Sequence, residues 1–122
     1  MKWILPRYHR VHLVDSMFTI SYGQSGDTAR LEWFTPEEAM RVVGDATPDW
    51  SKEELREQII RTWSERGEDE LYRRQARGFP VDPPIVERHN YLHLRSDGMH
   101  RTANAGVLGF DRVPVVIAEV DE

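Results

Sequence analysis

The residues of this chain best suited to chemistry lie in one short run, Ser96-Asp97-Gly98-Met99-His100-Arg101. It holds a carboxylate, an imidazole and a guanidinium, with a glycine between the acid and the bases. The run follows a strand-like segment, Tyr91-Leu92-His93-Leu94-Arg95. It leads into a helix-like one, Thr102 to Leu108, that stops at Gly109. A glycine turn that hands a strand over to a helix makes an anion site. The first amides of a helix have no partner inside it, and the helix dipole adds partial positive charge there. Gly98 lets a phosphate approach the backbone closely, and His100 and Arg101 add charge-assisted donors. The chemistry expected of Ser96, Gly98, Met99, His100, Arg101 and Thr102 is therefore the binding of a phosphate-bearing ligand, most simply a nucleotide. A carboxylate repels phosphate, so Asp97 either caps the helix or holds a magnesium ion that bridges the phosphates.

The elements that must position this turn are readable from periodicity and punctuation. In the N-terminal third Val11 and Leu13 alternate with His12, and Phe18, Ile20 and Tyr22 alternate with Thr19 and Ser21. Ala29, Leu31 and Trp33 then alternate with Arg30 and Glu32. The cluster Gly23-Gln24-Ser25-Gly26-Asp27 joins the last two runs as a hairpin loop. Thr35-Pro36-Glu37-Glu38 opens a short helix ended by Gly44. Ser51-Lys52-Glu53-Glu54 is a second capping box. Leu55, Ile59 and Trp63 follow at four-residue spacing, giving an amphipathic helix up to Gly67. Glu68 to Arg77 is a third helix closed by Gly78. Pro80, Pro83 and Pro84 impose an extended path. Ile85-Val86 and Val113 to Ile117 are strands, with Pro114 suited to a strand beginning or an edge. The fold class is α+β: a small mixed sheet with packed helices and an N-terminal β-hairpin, in one domain over residues 1–122.

Composition narrows the function classes. The 122 residues support one modest core. The net charge of −5 argues against broad, sequence-blind nucleic-acid binding, which needs a basic surface. There is no cysteine, so disulfides, zinc-thiolate sites and thiol catalysis are excluded. The N-terminal apolar run, Trp3-Ile4-Leu5, is too short for a signal-peptide core, and no apolar stretch approaches a membrane span. A soluble, cytoplasmic protein is expected. His89 and His93, in strand-like sequence, would stand about 13 Å apart along one strand and not chelate a metal. Arg73, Arg74 and Arg77 read as a solvated helix face paired with Glu68, Asp69 and Glu70.

The C-terminal third resembles the ParB/sulfiredoxin superfamily, including proteins described as ParB-like nucleases. The likeness is carried by Pro84-Ile85-Val86, Tyr91 to Arg95, Asp97-Gly98-Met99-His100-Arg101, Ala103, Leu108-Gly109 and Val113-Pro114-Val115. It covers about residues 80–118. The resemblance implies a ParB/sulfiredoxin-like fold in which the Gly98–Arg101 turn holds nucleotide phosphates through His100 and Arg101. Met99 stands where sulfiredoxins carry their catalytic cysteine, and a thioether has no ionisable proton, so that activity is excluded. Partition proteins of the superfamily bind cytidine triphosphate through a Glu-Arg-Arg turn and carry a helix-turn-helix behind it. Here Met99 and His100 replace the first two of those residues, and the sequence ends at Glu122. Related free-serine kinases use an N-terminal glutamate as base and an acidic residue at the glycine turn. Asp97 matches the second, but none of Glu32, Glu37 and Glu38 aligns with the first.

The expected function is nucleotide binding, with ATP or CTP and magnesium as ligands, and hydrolysis or transfer of a phosphoryl group. In that reaction Arg101 and His100 stabilise developing charge and Asp97 holds the metal. Two alternatives stand beside it. One is a non-catalytic module that senses a nucleotide or joins a protein partner. The other is a DNA-processing nuclease, disfavoured by the acidic composition. Ala103, Ala105 and Gly106 are small, which predicts close packing of the helix behind the turn on the sheet.

Overall fold

The computed structural model describes residues 3, 28–44, 49–89 and 92–119. The expected strands around Val11 and Phe18, the loop at Gly23–Asp27 and hence the N-terminal hairpin lie outside them. The described elements run β1 (Thr28–Phe34), α1 (Pro36–Val43), α2 (Lys52–Ser64), α3 (Glu70–Ala76), β2 (Ile85–His89), β3 (Leu92–Asp97), α4 (Met99–Leu108) and β4 (Val113–Glu119). The class is α+β.

The sheet has the order β1-β4-β2-β3. β4 runs antiparallel to β1 and parallel to β2, and β2 and β3 form an antiparallel pair. β4 is therefore central, which explains its continuous apolar run: Val113 to Ala118 are all buried. Its side chains alternate between two clusters. Val113, Val115 and Ile117 pack with Ala39, Val43, Val86 and Ala105. Val116 and Ala118 pack with Ile85 and Leu31. Pro114 begins a strand but not an edge strand. It pairs with Trp33 of β1, and β2 joins the other side of β4 only from Val116 onward, so no ladder bond to β2 is missed.

Each helix start has a local cause. In α1, Thr35 Oγ1 accepts from the Glu38 amide at 3.2 Å and Pro36 takes the first position. The Glu38 carboxylate accepts from Arg41 Nε at 3.1 Å. In α2 the Ser51–Glu54 capping box is complete. The helix stops at Ser64, before the expected Gly67, and α3 starts at Glu70 because Asp69 caps it: Asp69 Oδ1 accepts from the Tyr72 amide at 2.9 Å.

A third cluster, Met40, Ile59 and Ala103, joins α1, α2 and α4, with Trp63, Met99 and Val107 at its margin. The small residues of α4 thus divide their work. Ala105 faces the sheet, as expected, whereas Ala103 and Gly106 face other helices. A Cβ on Gly106 would come within 2.8 Å of Ile59 Cγ2, so this glycine sets the approach of α2. Arg56 Nη1 then reaches the Gly106 carbonyl at 2.9 Å.

Candidate functional site

The strand–helix handover at Gly98 is where the sequence places it, with one shift. β3 extends to Asp97 and α4 begins at Met99, so Met99, His100 and Arg101 form the first helical turn instead of preceding it. Gly98 is the N-cap, in the left-handed region at φ 106°. No side chain caps this helix. The first intrahelical bond runs from the Thr102 amide to the Gly98 carbonyl at 2.9 Å, which leaves the amides of Met99, His100 and Arg101 without intrahelical partners.

Gly98 has a different tight neighbour from the one expected. A Cβ there would stand 2.6 Å from both Cα and Cβ of Pro84. The missing side chain makes room for the proline segment that leads into β2, and only then for any ligand. The same segment receives Arg101: Nη1 donates to the Asp82 carbonyl at 2.9 Å and Nη2 to Asp97 Oδ2 at 3.1 Å. The Arg101 side chain is 16% exposed. Its guanidinium thus braces the turn from within, and Asp97 neither caps α4 nor stands free of a cation. Ser96 Oγ donates to the Val43 carbonyl at 2.6 Å and ties the end of β3 to the end of α1.

His100 faces another element. Its Nε2 lies 2.9 Å from Glu65 Oε1, at the C-terminal end of α2. Thr102 is fully buried, and its hydroxyl donates to the Gly98 carbonyl at 2.8 Å. Met99 packs into the clusters on both sides of α4.

These residues border an open cleft of about 260 Å³, lined by Ser96 to Arg101 together with Arg66 and Leu71. Six of the seven residues from Ser96 to Thr102 meet there; Thr102 lies behind the turn. Glu65, Arg66 and Leu71 were not legible as site residues. They lie some thirty positions upstream, in a segment whose local pattern signals only a helix end and a helix start. Asp82 and Pro84 were legible as extended chain but not as partners of Arg101 and Gly98.

Among the described residues no group of three or more acidic, histidine or cysteine side chains could hold a metal ion. His89 ends β2, while His93 lies on β3 in register with Arg88. The two histidines therefore sit on neighbouring strands, not along one strand as expected. Arg73, Arg74 and Arg77 are exposed, and among the described residues no ion pair joins them to Glu68, Asp69 or Glu70. No helix among the described residues is long and apolar enough to cross a membrane.

No protein-family model matches the chain, and no curated protein or solved structure matches it either.

Proposed function

We propose that this protein binds a phosphate-bearing compound, most simply a nucleoside triphosphate such as ATP or CTP, at the start of α4. One observation carries the reading: three successive amides, uncapped by any side chain, lie at residues that line an open cleft. Such a helix end stabilises negative charge through both its free N–H groups and its dipole. His100 and Arg66 also line the cleft as further donors. The order β2-β3-α4-β4, with the glycine turn before α4, is also what the ParB/sulfiredoxin resemblance implies.

Binding is better supported than turnover. Asp97 shares its carboxylate with Arg101, so it is a poor general base, and the His100 imidazole, the other base at the turn, is engaged by Glu65. Asp97 alone is one carboxylate. Magnesium therefore fits here only as an ion held chiefly by the phosphates of the ligand, with Asp97 adding one oxygen. A nucleotide sensor is the reading these facts favour, and phosphoryl transfer is its catalytic extension. DNA processing draws support only from the exposed arginines of α3.

Thermal unfolding with millimolar pyrophosphate, ATP or CTP, each with and without magnesium, tests the proposal. At one hundred times its dissociation constant a ligand stabilises the native state by about 2.7 kcal/mol. His100→Ala removes a donor without touching the Arg101 brace, so it should lower the shift while leaving ligand-free stability nearly unchanged. No shift with any of these compounds would refute the reading. Released phosphate in the same samples would select the catalytic form.

A further inference from the structure

The stretch Leu71 to Phe79 holds three arginines and no acid, in a chain whose net charge is −5. Gln75 decides which way it faces. That residue is fully buried, donating to the Arg101 carbonyl at 3.1 Å and accepting from Asn104 Nδ2 at 2.7 Å. With Gln75 turned inward, helical spacing puts Arg73, Arg74 and Arg77 within about 100° of one another on the opposite side. All three are exposed. Among the described residues, none of the three guanidinium groups makes a hydrogen bond or an ion pair. Glu70 lies on the same face one turn earlier and pairs with none of them.

An aromatic ring stands beside these cations. Gly78, at φ 84°, closes α3: its amide donates to the Gln75 carbonyl at 3.1 Å, and the Phe79 amide donates to the Arg74 carbonyl at 3.0 Å. This closure commonly seats an apolar residue at the Phe79 position against an apolar one at the Arg74 position. Here the second position is an arginine, and Phe79 is left 51% exposed. The dipole of α3 favours cations at this end, but it gives no reason for a half-exposed ring among them. A ligand that matches both features repeats negative charge along its length and offers flat apolar faces between the charges. Single-stranded nucleic acid does so at every nucleotide, whereas an acidic peptide supplies the charges without the faces. We infer that the C-terminal end of α3 is a docking surface for single-stranded nucleic acid. Phe79 stacks on one base, and Arg73, Arg74 and Arg77 take the flanking phosphates. Three charges and one ring make a local contact, which an acidic chain can carry without a broad basic surface. The inference is separate from the nucleotide reading, since none of these four residues lines the cleft at Gly98.

The test titrates the protein into fluorescently labelled oligothymidylate and oligouridylate and reads anisotropy over a series of salt concentrations. Wild type should bind at least one of the two, and the stronger of them tells a DNA strand from an RNA strand. Affinity should fall with salt at a log–log slope of about −2, from three phosphates at about −0.7 each. Phe79→Ala should weaken binding about tenfold at unchanged slope. Arg77→Ala should weaken it and make the slope shallower by about 0.7. Both side chains are exposed, so each variant should keep the wild-type denaturation midpoint. Absence of binding to both strands at low salt overturns the inference. So does a Phe79→Ala variant that binds as wild type does, because the ring then has no part in the contact. Oligoglutamate that competes as well as oligothymidylate overturns it in favour of an acidic protein partner, and tighter binding to a duplex of equal length overturns the single-strand assignment.

Discussion

Gly98 shows how one residue can serve several demands. Its left-handed backbone turns β3 into α4, and its bare Cα lets Pro84 lie against it. A Cβ would carry the strain of a positive φ, about 1 kcal/mol or more, and would also collide with proline backbone that cannot rotate away. Gly98→Ala is expected to lower stability by about 3 kcal/mol in urea denaturation; a loss below about 1 kcal/mol would show that Pro84 yields easily. Arg101 was legible as a cation beside the turn. Its partners were not, because Asp82 is nineteen positions upstream and only the fold brings its carbonyl within 2.9 Å. Removing that guanidinium would take away a brace as well as a charge. This is why His100 is the cleaner probe of ligand binding.

At the scale of elements, caps and punctuation decided most boundaries. Thr35 with Pro36, Ser51 with Glu54, and Gly109 act where the sequence puts them, because each mechanism needs only neighbours in the chain. Ser51→Ala removes the acceptor for the Glu54 amide and breaks the reciprocal box. It should cost about 1 kcal/mol, read from the shift in the denaturation midpoint at unchanged slope. An unchanged midpoint would mean that water serves this exposed end equally well. The start of α3 was misread by two residues because three consecutive acids, Glu68, Asp69 and Glu70, stand there, and only the actual chain path selects Asp69 as the cap. The small residues of α4 illustrate the same limit. Their size predicted close packing, but which neighbour each one approaches depends on where α2 docks.

For the whole molecule, stability centres on β4, which is bonded on both sides and buried on both faces. Ile117 is 1% exposed and lies in the cluster shared with α1, α4 and β2. Ile117→Ala should cost about 3 kcal/mol through lost transfer energy and the cavity left behind. A loss under about 1 kcal/mol in chemical denaturation would indicate that the helices close over the gap. Around this core, charge is arranged locally. The net charge is −5, yet the lip of the cleft gathers His100, Arg101 and Arg66 against Asp97 and Glu65. Acid and base partners thus meet at one corner of an otherwise acidic chain.

The sequence by itself determined the α+β class, two helix starts and the glycine turn with its cluster of charged residues. Those features follow from period, capping and backbone freedom, which act over a few residues. The tertiary structure decided which strand lies at the centre of the sheet, that Pro84 fills the space beside Gly98, and that Glu65 comes across from α2 to meet His100. Contacts of that kind join residues tens of positions apart, and no local pattern encodes them. They arise only when burial of β4 and of the α1–α2–α4 cluster brings the segments together.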